Sequence, residues 1–353
     1  MNVTIHERPG VYSSYDALSV VRGGKVGKTV GVAAIATAGT PNEAVLLSSF
    51  REGLEAFRAD GETAGMEAVL RALYENGATA VQAVRVDTTG ESADYASAFA
   101  ALGELDGVDV IVCDSTDLAV QQMLKESVER AGALQRERIA VVGASGARAS
   151  ELIEHAAQLN SERVVLSATN VPDEDGRGAI LAAAAVAAAI AANDDPSVPI
   201  NGTALQGLSG LTGRFTDTEI DLLVRGGVTP VEAVGGTVSP VRAVTTRTTT
   251  GGESDSTWRE LTTILVVDDV IPTIRSALRT RFARSKNTAQ SRGAIRSQVI
   301  LELEDKLANE RIDSYGEVKV SAVESDPTVC LVEFSFAVAH GLTRIYLPAH
   351  ITV

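Results

Sequence analysis

The stretch that decides the fold runs from residue 109 to residue 168. It contains DVIVCD at 109–114, RIAVVG at 138–143 and RVVLSA at 163–168, with segments of helical length between these runs. Short continuous runs rich in Val and Ile, separated by helices, are typical of parallel strands that are buried on both faces. The stretch therefore predicts a layered α/β domain built on a mostly parallel sheet.

The same alternation continues on both sides of this stretch. The alanine-rich run Ala179 to Ala192 is too short to span a bilayer, and it predicts a buried helix packed closely on the sheet. The α/β domain is predicted to cover residues 26–197. Its remaining elements are strands at 29–36 and 80–86 and helices at 63–75, 92–104, 117–135, 148–159 and 178–193.

The pattern changes after Pro196, where Pro199 and Gly202 indicate a linker. An α+β core domain is predicted over residues 198–341, with an N-terminal arm at 1–25 and a C-terminal arm at 342–353. Pro272 should kink the first of two long helices or begin a new turn. The predicted elements are helices at 217–225, 258–284 and 289–311, and strands at 229–234, 241–250, 317–323, 329–339 and 342–353.

The composition excludes several classes of protein. The chain has 353 residues, 45% of them hydrophobic, which indicates a globular protein rather than a disordered one. A net charge of −15 argues against general affinity for nucleic acids or anionic membranes. The two cysteines, Cys113 and Cys330, lie in apolar runs, so we expect reduced thiols with no disulfide framework and no metal cluster.

Three short motifs partly match known functional sites. The run Gly23 to Thr29 resembles a phosphate loop, but Arg22 stands where the first glycine belongs and a strand follows the motif instead of preceding it. Gly143 to Gly146 follows a strand and precedes a helix, where α/β proteins bind ligands, yet it completes neither a nucleophile elbow nor a dinucleotide fingerprint. Asp114 lies at another strand end, next to residues that serve equally well as helix caps. We expect no catalytic residue and no metal or cofactor site.

The strongest local charge feature lies near the start of the C-terminal third. Seven cations occur between Arg275 and Arg296 with no Asp or Glu among them. Such a segment is either a solvated face or a docking surface for an acidic partner, where charge determines register and association rate more than affinity.

Both ends of the chain read as strands without a partner of their own. Terminal residues fray unless something holds them, and ordering costs about 1–2 kcal/mol per residue. The ends are therefore disordered or are added to a sheet, and that sheet could belong to a neighbouring molecule. Their apolar alternation involves Val3, Ile5, Val11 and Tyr12 at one end and Ile345, Leu347, Ile351 and Val353 at the other.

An ordered set of segments resembles the contractile tail sheath proteins of phages and phage-like injection systems. It begins with the arm Glu7-Arg8-Pro9-Gly10-Val11-Tyr12. It continues with Val241 to Thr250, Trp258 to Leu261 and Asp269 to Ser276, and it ends with Arg292 to Ile295, Tyr315-Gly316 and the closing strands from Val329 to Val353. The resemblance covers about 1–28 and 200–353, and the α/β middle is similar in kind only.

The resemblance implies a structural subunit, not an enzyme, that needs no cofactor. Such subunits form stacked hexameric rings around an inner tube, and contraction drives the tube through a target envelope. Their arms add strands to neighbouring subunits. The implied partners are other copies of the chain, the tube protein, and baseplate and terminator proteins, with no nucleic acid and no direct membrane insertion. The implied location is a virion tail or phage-tail-like particle that is assembled in the bacterial cytoplasm.

The resemblance also assigns roles to residues. The eight apolar arm residues named above would be donor strands, and Gly23 and Gly24 would form a hinge. The acceptor sheet would contain Val332, Phe334, Phe336 and Val338, and the tube-facing surface would contain Arg275, Arg279, Arg281, Arg284 and Lys286. The alternative is an α/β enzyme or ligand-binding protein with a site at the strand ends near Asp114 and Gly143.

Overall fold

The computed structural model of the protein describes residues 28–58, 65–88, 94–146, 148–170, 177–208 and 213–342. The strands of its largest sheet are β1 (Thr29–Ala34), β2 (Ala44–Leu47), β3 (Ala80–Arg85), β4 (Val108–Cys113), β5 (Ile139–Ser145), β6 (Val164–Thr169), β7 (Val228–Val234) and β8 (Thr237–Pro240). Their order is β2-β3-β1-β4-β5-β6-β7-β8. The six inner strands are parallel, and β2 and β8 run antiparallel at the two edges.

Helices cover both faces of this sheet, as buried parallel strands require. One face packs against α1, α2 and α6, and the other against α3, α4, α5 and α7. Successive strand residues alternate between the two cores, so Val141 faces the first core and Val142 the second. The helices are α1 (Phe50–Phe57), α2 (Met66–Glu75), α3 (Tyr95–Gly103), α4 (Leu118–Ala133), α5 (Ala149–Leu159), α6 (Arg177–Ala192) and α7 (Asp217–Arg225).

The alanine-rich helix α6 is buried between the sheet and α2. Every residue from Ala182 to Ala191 is buried, and α6 packs against β4, β5 and β6. Alanine has the highest helix propensity, and its short side chain allows a helix to approach a sheet closely. The sequence prediction of a buried helix packed closely on a sheet is confirmed.

The central sheet extends past residue 197, where the sequence placed the boundary between two domains. β7 pairs in parallel with β6, with Ser167 opposite Thr229, and β8 pairs with β7. Both strands lie in the predicted second domain, so the predicted boundary does not coincide with an edge of the sheet. The linker signals at Pro196 and Pro199 fall in a partly buried loop, after which the chain returns to the same sheet. β2 and α1 are not among the elements that the sequence predicts.

The rest of the chain contains two long helices, α8 (Leu261–Phe282) and α9 (Ala289–Ala308), and short antiparallel strands. These strands are β9 (Thr249–Thr250), β10 (Glu253–Ser254), β11 (Ile312–Tyr315), β12 (Lys319–Val323), β13 (Asp326–Glu333) and β14 (Phe336–Val338). They form three two-stranded sheets, β9 with β10, β11 with β14, and β12 with β13. A third core joins α8, from Val266 onward, to α9 and to the strands β11 to β14. The elements that share this third core are called the C-terminal module below.

Three predictions for the C-terminal part need correction. The strand expected over residues 241–250 forms only at Thr249–Thr250, which is β9. The single strand expected over residues 329–339 is two strands in two different sheets. Between them Ser335 accepts a hydrogen bond from the Gly316 amide (2.8 Å) instead of continuing the ladder. The turn expected at Asp326-Pro327 falls before Asp326, where β13 already begins. Helix α8 continues through Pro272 without ending there.

Candidate functional site

Asp114 lies at the carboxyl end of β4 beside the end of β1, where open α/β sheets usually bind ligands. Its carboxylate accepts hydrogen bonds from the Ile35 amide (2.8 Å) and from the Tyr95 hydroxyl (2.7 Å). Burial, together with the nearby Asp114 charge, raises the pKa of Tyr95, so its hydroxyl remains a donor. Asp114 therefore joins β1, β4 and α3 structurally.

Gly143 also has a packing role. A Cβ atom at this position would overlap the carbonyl oxygen of Ala179 and lie 2.6 Å from its carbonyl carbon, because α6 crosses β5 there. The Gly143 carbonyl accepts a hydrogen bond from the buried Gln121 side chain (2.9 Å). Gly146 donates its amide to the Thr169 carbonyl (3.3 Å). The close approach of α6 accounts for the glycine at position 143, and the ligand-binding alternative is left without support.

The described residues offer little to metal or thiol chemistry. No group of three or more His, Cys, Asp or Glu side chains that could hold a metal ion occurs among them. Burial raises the pKa of the Cys113 thiol to about 12, and burial also raises the pKa of Cys330. Both thiols therefore remain protonated and weakly nucleophilic near neutral pH. No helix in the described part of the chain has the length and apolarity needed to cross a membrane.

The predicted acceptor residues lie on the surface of the C-terminal module. Val332, Phe334, Phe336 and Val338 are half-buried, and all four pack on the third core. The rings of Phe334 and Phe336 are stacked with their centroids 6.4 Å apart. Within the described residues, β13 pairs only with β12, and β14 only with β11. Each of these strands therefore has one edge without a described partner, and such an edge is a template for strand addition.

The basic residues fall into two groups. Arg279, Arg281, Arg284 and Lys286 are exposed around the end of α8. Arg281 bonds to Gln298, whereas the other three have no ion-pair partner among the described residues. The three side chains Arg279, Arg284 and Lys286 are called the basic surface below. Arg275 does not belong to it, since it is 7% exposed and pairs with Glu137 (3.3 Å).

The predicted donor residues and the hinge lie outside the described residues. These are Val3, Ile5, Val11, Tyr12, Gly23, Gly24, Ile345, Leu347, Ile351 and Val353. The structure does show the residues next to them. Lys28 donates to the carbonyls of Ile190 (3.1 Å) and Asn193 (2.9 Å), which holds the start of the described chain against the end of α6. At the other end, Leu342 is 77% exposed.

A cavity borders each end of the described chain. One cavity of about 210 Å³ is lined by Gly341 and by the start of α8, and a smaller one of about 90 Å³ is lined by Lys28. Leu265 of α8 lines both cavities. The first half of α8 therefore lies beside both points at which the described chain stops.

The sequence analysis missed the buried charges on α8. Asp268 pairs with Arg163 (3.0 Å), and Asp269 pairs with Lys306 (2.7 Å) and Arg311. The one sequence signal for these ion pairs is the Asp268-Asp269 pair inside an apolar helix. Acidic residues in such a position are partly buried and therefore require cationic partners. Which cations they meet depends on the tertiary fold.

The described residues form an α/β protein with open strand edges and an exposed basic surface at the end of α8. Residues 89–246 match the family model of the phage tail sheath protein central domain, and residues 253–352 match that of the phage tail sheath C-terminal domain. The two matches together cover well over half of the chain. The chain therefore belongs to the phage tail sheath protein family, which confirms the sequence resemblance.

One curated relative and several solved structures are similar to the chain. A tail sheath protein of Bacillus phage SP01 is 26% identical over 292 residues, which are 76% of this chain and 50% of that protein. The chain thus spans about half the length of this relative. The fold is similar to the helical sheath of the anti-feeding prophage in the contracted state, with a TM-score of 0.71, 15% identity, and coverage of 98% of this chain and 99% of that chain.

Two further structures show the same fold. The PVC sheath complex of an extracellular contractile injection system, in the contracted state, has a TM-score of 0.69 and 16% identity, and covers 99% of both chains. A sheath tail protein from Listeria innocua has a TM-score of 0.68 and 13% identity, and covers 90% of this chain and 93% of that chain.

Proposed function

We propose that the protein is the structural subunit of a contractile tail sheath. It polymerises as stacked hexameric rings around an inner tube and contracts to drive that tube through a target envelope. The observation that carries the proposal is the match of both parts of the chain, in order, to the two sheath family models. The work would come from contact added on contraction: each further ~400 Å² of apolar area buried per subunit would release on the order of 10 kcal/mol as an upper estimate.

The proposed partners follow from this role. The subunit binds other copies of itself, the tube protein, and baseplate and terminator proteins, inside a virion tail or phage-tail-like particle assembled in the bacterial cytoplasm. No catalytic turnover is part of the proposed role. Negative-stain electron microscopy of the purified protein tests it directly. We expect tubes of uniform diameter, whereas a uniform population of small particles with saturable ligand binding would contradict the proposal.

Strand addition between copies is the proposed means of linkage. The arms at 1–25 and 342–353 carry the apolar alternation of strands, and the half-exposed pairs β12–β13 and β11–β14 offer strand edges without a described partner. Each backbone hydrogen bond of an added strand contributes about 0.5–1.5 kcal/mol net. Gly23 and Gly24 would allow the arm to remain attached while the subunit turns.

Deletion of residues 1–20 is expected to give a folded monomer that cannot form long tubes. The deleted segment ends before Lys28, the first described residue, which remains bonded to the end of α6. The core should therefore keep its melting temperature while the links between subunits are lost. Circular dichroism and electron microscopy measure the two effects separately. Tubes of normal length formed by the truncated protein would exclude the arm as a link.

The basic surface is proposed to face the tube. Arg279, Arg284 and Lys286 are exposed and have no ion-pair partner among the described residues, so their charges remain available to an acidic partner. Opposite charges across an interface raise the association rate and determine register. This surface lies beside the hairpin β12–β13, because Asn287 donates to the carbonyls of Pro327 (2.9 Å) and Val329 (3.1 Å).

Reversal of two charges, Arg279→Glu with Arg284→Glu, is expected to impair co-assembly with the tube by about tenfold or more while sheath self-assembly is retained. Two charge reversals across a contact supply the 1.4 kcal/mol that a tenfold change requires. Pelleting with purified tubes measures co-assembly. Arg51→Glu is the control for a charge reversal outside the basic surface, because Arg51 is 88% exposed on α1, where it pairs with Glu55 (3.0 Å). Equal loss in both variants would contradict a specific role for the basic surface.

A further inference from the structure

Helix α8 contributes to two hydrophobic cores. Its first half places Leu261, Ile264 and Val267 in the core between the central sheet and α6. Val266, Val270 and Ile274 of the same helix lie in the core of the C-terminal module. Between these two bodies no strand ladder exists in the described residues, since the C-terminal strands pair only among themselves. Phe336 and Val338 of β14 also pack against the first core, so the two bodies are held together by α8 and by these two side chains.

Two buried ion pairs connect α8 to the starts of central strands. Arg163, directly before β6, donates from Nη1 and Nη2 to the two carboxylate oxygens of Asp268, at 3.0 and 3.2 Å. Arg275 donates from Nη2 to Glu137, which lies two residues before β5, at 3.3 Å. The four side chains are between 2% and 15% exposed. Asp268 and Arg275 are seven positions apart, which is about two helical turns, so the pairs hold one face of α8 at two points.

The surroundings of Arg163 are shaped for its guanidinium group. A Cβ atom at Gly132 of α4 would lie 2.9 Å from Nε of Arg163, so a side chain there would displace the guanidinium. Nη1 of Arg163 also donates to the Arg138 carbonyl at 3.3 Å. Contacts with Gly132 and with the Arg138 carbonyl, both beside the central sheet, therefore hold the Arg163 guanidinium in position independently of Asp268.

Asp269, the next residue of α8, pairs with the C-terminal module instead of the central sheet. Asp269 accepts from Lys306 of α9 (2.7 Å) and from Arg311 directly before β11. Adjacent carboxylates thus pair with different bodies, Asp268 with the central sheet and Asp269 with the C-terminal module. This arrangement supplies a matched control, because the two aspartates share one helix and similar burial but only one of them crosses between the bodies.

We infer that the pairs Arg163–Asp268 and Glu137–Arg275 form an electrostatic clamp that fixes the angle of the C-terminal module against the central sheet. The hydrophobic attraction that holds α8 is non-directional. A buried ion pair adds little net stability, because desolvation offsets the attraction, but its geometry is directional. The clamp therefore determines orientation, while the hydrophobic cores supply most of the binding energy. This property belongs to the single subunit and does not depend on the proposed function.

The experiment measures the distance between the two bodies. Spin labels are attached to cysteines introduced by Met123→Cys on α4 and Leu301→Cys on α9, both at exposed positions. Cys330→Ser removes one native thiol, and Cys113 stays unlabelled because it is buried. Labelled full-length protein is diluted into a large excess of unlabelled protein, and distances are measured by double electron–electron resonance at about pH 8, where Glu137 is ionised. We expect Asp268→Asn to at least double the width of the distance distribution. Asp269→Asn should leave the width unchanged while it also lowers the melting temperature.

A double variant separates orientation from stability. Asp268→Asn leaves Arg163 buried without its carboxylate, which could unfold the protein. Arg163→Met combined with Asp268→Leu removes both charges and keeps the volume. We expect its melting temperature to stay within about 3 °C of the unmodified protein, with the same broadened distances. A narrow distribution in this variant, or equal broadening in Asp269→Asn, would overturn the clamp.

Discussion

Replacement of Gly143 by alanine should destabilise the protein by about 3 kcal/mol, the upper end of the range for overpacked cores. The added Cβ atom would overlap the Ala179 carbonyl, which belongs to the backbone of α6. A side chain could rotate away, but a helix backbone moves only with its neighbours, and α6 is buried over most of its length. The added methyl group would push α6 away from β5 and weaken the core on that face of the sheet.

Denaturant unfolding followed by circular dichroism measures this loss. Gly146→Ala is the matched control, since a Cβ atom there would meet only side-chain atoms at 3.6 Å or more. We expect Gly146→Ala to change stability by less than about 0.5 kcal/mol. Both glycines belong to the segment that resembled a ligand loop in the sequence. Equal effects at the two positions would mean that the close approach of α6 to β5 does not explain Gly143.

The second large effect is a dependence of stability on pH through Glu137. Burial raises the pKa of this carboxyl group from 4.5 to about 7, although the Arg275 guanidinium acts to lower it. Between about pH 7 and pH 4.5 the folded state keeps a proton that the unfolded state has lost, so the free energy of unfolding increases as the pH falls. The shift corresponds to about 3 kcal/mol. Above pH 7 the group is ionised in both states, and this contribution is absent.

Denaturation at about pH 8 and about pH 5, in the unmodified protein and in Glu137→Gln, isolates this contribution. Glutamine keeps a hydrogen-bond acceptor for Arg275 but does not titrate, so the difference between the two proteins cancels the other ionisable groups. We expect the unmodified protein to gain about 3 kcal/mol relative to the variant as the pH falls. Parallel profiles would contradict a raised pKa. The charged groups near Glu137 are Arg275, Asp268 and Asp269 on α8, Arg163 before β6, and Asp109, Lys28 and Asp194 around the same cavity.

The clamp and this titration are linked. Below about pH 7 the carboxyl group of Glu137 is neutral, and the contact with Arg275 becomes a hydrogen bond to a neutral acceptor. Arg163 and Asp268 then carry the only charge–charge contact of the clamp. The orientation of the C-terminal module should consequently be held more weakly below about pH 7. The contribution of Glu137 to the free energy of unfolding increases over the same pH range.

The central strands and helices could be predicted because their signals are local. The runs at 109–114, 138–143 and 163–168 became β4, β5 and β6 with shifts of only one or two residues. Continuous Val and Ile runs indicate burial on both faces wherever they occur. The strand at 329–339 failed for the opposite reason. Its alternation is continuous, but the change of partner at Ser335 depends on Gly316, which lies far away in the sequence.

The candidate surface was only partly visible in the sequence. The excess of positive charge between Arg275 and Arg296 is a property of the sequence, and Arg279 and Arg284 are indeed exposed. The sequence could not show that Arg275 faces Glu137 inside the protein. Both are charged residues in unremarkable contexts, and only the packing of α8 across the starts of the strands brings them together.

The sequence by itself determined the α/β class, the buried alanine helix, the basic segment and the resemblance to sheath proteins, since these depend on composition and on short-range periodicity. Tertiary structure alone decided that β7 and β8 complete the central sheet, that Gly143 receives α6, and that Asp268 and Asp269 bind different bodies. The physical reason is that pairing partners of strands and buried charges are chosen by spatial proximity. Two adjacent, identical aspartates carry no local signal that distinguishes their partners.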